Sequence, residues 1–241
     1  MSPSFSLDRL APTRRPEGRP SGWQRWRELL FVHYTVPLEV LRPLVPAELE
    51  LDPWNGVGWV GVVPFRMEGI RPAWLPVGLD FLETNVRTYV HHRGEPGIFF
   101  FSLEASSWLA VQAARRGWGL PYFHARMTSV REGARVDYRT ERRDASGASA
   151  HYDFEIQGEP APAVPGTLDH FLLERYLLFT VASGRVSKGH VHHTPYPAAR
   201  AILRTSTDTL VEAAGLPRVG APAAVHYAEG VDVEVFGPFT A

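Results

Sequence analysis

Apolar and polar side chains alternate along most of this chain, in runs of four to twelve residues broken by Gly, Pro, Asn or Ser. A period of two puts successive side chains on opposite faces of an extended strand. The clearest run is Phe81-Leu-Glu-Thr-Asn-Val-Arg-Thr-Tyr-Val90, which sets Glu83, Asn85, Arg87 and Tyr89 on one face and Thr84, Val86, Thr88 and Val90 on the other. Comparable patterning predicts strands over 28–36, 49–51, 57–67, 81–92, 97–104, 122–130, 135–142, 150–156, 176–182, 185–193, 223–227 and 231–236. Asn55-Gly56 and Ser183-Gly184 supply turn chemistry between neighbouring runs. Helical spacing is rarer. It predicts a short turn after Pro37, a helix over 106–117 capped by Ser106 or Ser107 and ended by Gly117, a helix over 167–175, and one near 208–214. Residues 194–207 follow neither period. The expected architecture is mostly β (α+β): an antiparallel barrel or sandwich with a few short flanking helices.

The run of strands is unbroken by any convincing linker, so residues 23–241 are expected to form one domain. Residues 1–22, with four prolines and no hydrophobic period, read as a flexible N-terminal tail or a strap over the surface. The Pro-rich stretch 158–166 reads as a rigid loop.

Composition then narrows the chemistry. Seven Trp, thirteen Phe and eight Tyr provide ample area for a packed core. A net charge of -1 gives no field to draw the chain to nucleic acid or an anionic membrane, so a small molecule is the expected partner; a homo-oligomer stays open. The absence of cysteine removes disulfides, thiolate nucleophiles and Cys-bound zinc. No apolar run has the length of a membrane span or the form of a signal peptide, which leads to the expectation of a cytoplasmic location. Every basic side chain but one is Arg, and the single lysine is Lys188. Arginine stays protonated and cannot form an imine.

The polar face of 81–90 has two readings: a solvated stripe with a Glu83–Arg87 ion pair, or the wall of a cavity in which a carboxylate, an amide, a guanidinium and a phenol hold a polar ligand. His190 and His192 share a strand face, but two imidazoles lack the further ligand a metal needs, and no metal is expected. No nucleophile elbow, phosphate loop or dinucleotide fingerprint is present, so no cofactor is expected either.

The segments Phe31-Val-His-Tyr-Thr35, Leu41-Arg-Pro-Leu-Val-Pro-Ala-Glu-Leu49, Gly58-Trp-Val-Gly-Val-Val-Pro-Phe65, Glu83-Thr-Asn-Val-Arg-Thr-Tyr89, Pro96-Gly-Ile-Phe-Phe-Phe-Ser-Leu103 and Gly119-Leu-Pro-Tyr122, in this order, resemble the YqjF-like bacterial proteins of unknown function. These are similar in turn to acetoacetate decarboxylase. The resemblance spans roughly 23–236 and implies a cone-like antiparallel β barrel around a pocket. Acetoacetate decarboxylases act through an imine on a lysine of lowered pKa. In the matching motif of this chain the two lysine positions hold Tyr122 and Phe123, a family arginine falls near Tyr34 beside His33, and the pocket glutamate is retained as Glu83. The resemblance therefore implies a binding scaffold without its amine. The leading expectation is a protein that binds a small carboxylate or carbonyl compound through Glu83, Arg87, Tyr122, Tyr34 and Asn85. The alternatives are an enzyme using Glu83 with Tyr122 or Tyr34 for acid–base chemistry on a small oxo or hydroxy compound, and a protein-interaction module.

Overall fold

The alternating run at 81–90 forms the middle of β4 (Leu79–His92), and the pattern of that strand explains how the whole molecule is layered. In this computed structural model, which describes residues 7–217 and 220–241, both faces of β4 are buried. The same holds for much of β1 (Gly22–Val36) and β3 (Gly58–Pro72), which pair antiparallel with each other and, through β3, with β4. Strands covered on both faces need two apolar layers. One contains Phe31, Phe65, Tyr89 and Phe100, and the other Leu30, Val32, Val62, Val86 and Tyr152. Neighbours in β1 thus serve different cores: Phe31 one, Leu30 and Val32 the other.

The remaining elements follow in chain order. Helix α1 (Leu38–Leu41) and strand β2 (Glu50–Leu51) precede β3; β5 (Glu95–Ala105), α2 (Trp108–Trp118), β6 (Tyr122–Glu132), β7 (Arg135–Arg142) and β8 (Ser149–Ala161) follow β4. Then come α3 (Leu168–Leu173), β9 (Leu177–Ala182), β10 (Arg185–His192), β11 (Ala198–Asp208), α4 (Leu210–Ala213) and β12 (Ala224–Thr240). The strands form one hydrogen-bonded sheet in the order β10-β9-β5-β6-β7-β8-β11-β12-β1-β3-β4-β2, with further pairings of β5 with β4 and of β10 with β12.

Several elements differ from the sequence expectation. Pairing is not uniformly antiparallel, because β5 runs parallel to both β6 and β9. The first case follows from α2, which carries the chain back across the sheet so that β6 leaves in the direction of β5. That helix is capped by Ser107, whose hydroxyl accepts from the Ala110 N–H, and it continues past Gly117 to Trp118; the left-handed residue that ends it is Gly119, with φ of 64°. Residues 198–208 form a full strand, β11, although only Ala199 and Ala201 of its side chains are buried. With one thinly covered face it has no strong alternation, and backbone pairing with β8 holds it. The two predicted closing strands are one, β12.

Residues 7–21 lie across the surface. Arg9 forms an ion pair with the buried carboxylate of Asp52, and Pro12 is buried, its carbonyl accepting from the His190 ring at 2.8 Å. Among the described residues no His, Asp or Glu cluster has the makings of a metal site, and no helix is long and apolar enough to cross a membrane.

Candidate functional site

The register of β1, β3, β4 and β5 sets polar side chains in rows across the sheet. Glu83 stands level with Phe65 on β3 and Ala105 on β5. Asn85 stands level with Val63 and Leu103, and Leu103 with Tyr122 on the parallel strand β6. Arg87 stands level with Gly61, and Gly61 with His33 on β1. Gly61 contributes no side chain to the row, and a Cβ there would stand 3.3 Å from His33 Nε2 and 3.6 Å from Arg87 Cγ. The gap lets the imidazole and the base of the arginine lie face to face.

Glu83, Asn85, Arg87 and Tyr122 line one cavity of about 550 Å³, a volume suited to a drug-sized molecule. Most of its wall is apolar: Phe31 from β1, Phe100 from β5, Ala114 and Trp118 from α2, and Tyr196 from the segment before β11. A solvated stripe is excluded, since Glu83 is 3% and Arg87 7% exposed.

Within this cavity the carboxylate and the guanidinium are not partners. Residues four apart along an extended strand have Cα atoms about 13 Å from one another, and no Glu83–Arg87 ion pair forms. Glu83 instead accepts a hydrogen bond of 2.7 Å from the Tyr122 hydroxyl. Burial pushes the Glu83 carboxyl up to about 8, against the opposing effect of the Tyr122 hydroxyl; nearby Glu104 adds to the rise and the Asn85 side chain reduces it. Burial and the same carboxylate push the Tyr122 phenol well above its ordinary value. At neutral pH Glu83 is therefore mainly a protonated acid that can donate.

Arg87 has a sparse environment for a buried cation. It reaches the Leu172 carbonyl only at 3.5 Å, sits 5.7 Å from the centre of the Phe31 ring, and leaves its Nε without a partner. Among the described residues no carboxylate pairs with it. Arg175, which also lines the cavity, differs: Asp52 holds it at 2.9 Å, and it stacks on Tyr89 and Phe171. Beside Arg87, His33 is wholly buried with neither ring nitrogen hydrogen-bonded; burial, then the charge of Arg87, then His226 hold its pKa well below the ordinary histidine value.

Tyr34 does not join this group. It points to the other face of β1, into the second core, where it lies against Tyr152 and is governed by burial and the charge of Asp208. Leu29 and Phe31 line the cavity from that strand, and His33, stacked on Phe31 on the same face, is buried behind them. The period of two could have shown that His33 and Tyr34 oppose each other. Tyr196, on an irregular segment, carried no sequence signal. Lys188 pairs at the surface with Glu95 at 2.6 Å and is not among the residues that line the cavity. Borohydride added with acetoacetate or pyruvate is accordingly expected to leave the protein mass unchanged; a reduced adduct mapped to Lys188 would contradict this assignment.

With this geometry in hand, comparison with known proteins places the chain. The uncharacterized conserved protein family DUF2071 matches residues 23–232. The uncharacterized protein YqjF of Bacillus subtilis (strain 168) is 38% identical over 213 residues, covering 87% of this chain and 88% of that protein. Among solved structures, the enduracididine biosynthesis enzyme MppR, complexed with the condensation product of pyruvate and imidazole 4-carboxaldehyde, superimposes with a TM-score of 0.62 at 14% identity, covering 92% of this chain and 90% of that one. Acetoacetate decarboxylase from Legionella pneumophila superimposes with a TM-score of 0.60 at 16% identity over 99% of each chain. At such low identity these two likenesses speak to the fold alone: a mostly β structure of the acetoacetate decarboxylase-like kind.

Proposed function

This chain belongs to the DUF2071 family of uncharacterized conserved proteins, and we propose that it binds a small molecule bearing a carboxylate or carbonyl group in the cavity behind β4. The observation that carries this reading is the convergence of Glu83, Asn85, Arg87 and Tyr122, from strands 30 or more residues apart, on one apolar-walled cavity. Polar groups are costly to bury without partners, so their presence along the wall of a largely apolar space is best explained by a ligand that satisfies them. In this reading the wall is a cone-like barrel, the β5–β4 and β10–β12 pairings joining its halves around the ligand.

A second reading is favoured by one feature, the Glu83–Tyr122 hydrogen bond around a carboxyl that titrates near 8. A carboxyl of that strength has both forms populated near neutral pH: the acid can give a proton to a carbonyl oxygen and the carboxylate can take one from an adjacent carbon, without an amine or a metal. Both readings use the same residues and differ in whether the bound molecule leaves changed.

A thermal-shift screen of carboxylic acids, ketones and aldehydes is the test. At least one compound is expected to raise the melting temperature, with the rise lost in Glu83→Gln and Arg87→Met proteins that still melt cooperatively. Following the stabilising compound by NMR then distinguishes binding from turnover. If no compound in any class shifts the wild-type transition, the cavity reading is wrong.

A further inference from the structure

We propose that the ligand is a bulky lipophilic monocarboxylic acid, held with its carboxylate on Arg87 and Tyr196 and its apolar body along the walls towards Trp118 and Trp74. This rests on the binding reading above and narrows it in charge, size and orientation.

Charge comes first. The cavity wall holds two buried guanidiniums, Arg87 and Arg175; Asp52 pairs with Arg175 and, on its other side, with Arg9, whose side chain is partly open to solvent. No carboxylate among the described residues pairs with Arg87; Glu174, beside the Tyr196 backbone, accepts from the Tyr176 hydroxyl and the Tyr196 N–H instead. The other titratable side chains around Arg87 are, on β4, Tyr89, whose hydroxyl donates to the Leu172 carbonyl, and Glu83, held by Tyr122; on β1 it is His33, and on the segment after β10 His193 and Tyr196. Burial lowers the pKa of His193 to about 4 and of His33 well below ordinary, so both imidazoles are neutral at pH 7. Of the two buried guanidiniums Arg87 alone has no carboxylate partner among the described residues, and a monoanion balances it. A phosphate monoester would bring nearly two negative charges into the same apolar space and leave one unmatched. A carboxylate has the single charge and the planar pair of oxygens that a guanidinium binds through two hydrogen bonds.

Size and orientation follow from the walls. A cavity of about 550 Å³ far exceeds what a three-carbon acid fills, and Trp26, Leu29, Phe81, Leu103 and Trp118 line it with hydrocarbon and indole. The space continues to the β3–β4 loop, where Trp74 lines it while 80% exposed, with Val77 70% exposed beside it. An apolar mouth suits a molecule that enters with a greasy end and finishes with its charge inside. Tyr196 shares the cavity wall with Arg87, and the two meet the same ring: Tyr196 packs edge-on against Phe31 at 5.2 Å between centroids, and the Arg87 guanidinium lies 5.7 Å from the centre of Phe31. The Tyr196 hydroxyl is the neutral donor that completes the carboxylate's shell.

Calorimetric titration at pH 7 with decanoate, decanamide, decyl phosphate and hexanoate tests the assignment without a variant. Decanoate is expected to bind at least about tenfold more tightly than decanamide or decyl phosphate, and at least about tenfold more tightly than hexanoate, which buries four fewer methylenes. Arg87→Met should erase the preference of acid over amide, and Tyr196→Phe should narrow it. Equal binding of decanoate and decanamide, tighter binding of decyl phosphate, or no gain from hexanoate to decanoate overturns the proposal and leaves the binding reading standing. If none of the four binds, while the screen of small acids and carbonyl compounds still yields a stabilising ligand, only the lipophilic assignment fails; if that screen is also blank, both fail.

Discussion

Replacing Arg87 with Met is expected to leave the ligand-free protein at least as stable as the wild type, whereas Asp52→Ala is expected to destabilise it by about 3–5 kcal/mol. The two substitutions act on guanidiniums that both line the cavity, and the difference comes from their partners. Arg175 is 5% exposed, and its charge is compensated by Asp52 at 2.9 Å and by the Phe171 carbonyl at 2.8 Å. Removing Asp52 leaves that charge buried and uncompensated, and also releases Arg9 from the same carboxylate. Arg87 likewise has no carboxylate, only one distant carbonyl and one aromatic face, on the wall of the cavity. Methionine keeps much of the hydrocarbon stem and removes the charge that is costly to hold there. Undiminished stability on deleting a buried charge marks a group retained for binding rather than folding. Urea denaturation of the three proteins, read as midpoints at constant m, gives the comparison. Loss of stability in Arg87→Met matching that in Asp52→Ala would show that Arg87 has a structural role and would remove it as the anion partner.

The second large effect is a pH dependence that Glu83 alone should impose. Its folded pKa is about 8 against an ordinary 4.5, so between those values the folded protein keeps a proton that the unfolded chain releases. The unfolded state then binds fewer protons, and stability falls as pH rises, by up to about 1.4 kcal/mol per pH unit. Below about 4.5 both states are protonated and above about 8 both are ionised, so the dependence is confined to that window. Buried carboxyls such as Glu104, Glu174 and Asp208 also have raised values, and His33, His170, His193 and His226 have lowered ones, so the wild-type curve mixes several titrations. Subtracting the stability of Glu83→Gln at each pH isolates one of them. The difference is expected to turn against the wild type by a few kcal/mol between pH 5 and 8, on the order set by the linkage slope. A flat difference would mean that Glu83 stays ionised throughout, and with it the acid-chemistry reading would go. The same titration should appear in ligand affinity, because protonated Glu83 can donate to a bound oxygen and ionised Glu83 cannot.

How much of this was legible beforehand differs from residue to residue. The alternation at 81–90 put Glu83, Asn85, Arg87 and Tyr89 on one face, and the structure keeps them there. The helix cap at Ser107 and the hairpin turn at Asn55-Gly56 follow from side chains that satisfy or tolerate local backbone geometry. That Lys188 is the only lysine, far along the chain from Glu83 and Arg87, is also plain from sequence. These features depend on a residue and its near neighbours, which is why the linear order carries them.

The rest depended on which strands became neighbours. Alternation tells that His33 and Tyr34 face opposite ways but not which of them joins the layer of Phe31 and Arg87; that was settled when β1 took its place between β12 and β3 and set His33 opposite Gly61. The β11 strand was hidden because pairing with β8, rather than a buried face, holds it. The parallel run of β6 beside β5, which brings the Tyr122 hydroxyl to Glu83, needed the α2 crossover. Sequence alone determined most of the sheet-forming segments, the shared face of Glu83 and Arg87 and the single lysine, far along the chain from them. Only the tertiary structure gave Glu83 a tyrosine and left Arg87 without a counter-charge, because desolvation and Coulomb energy depend on distances in space between groups far apart in the chain.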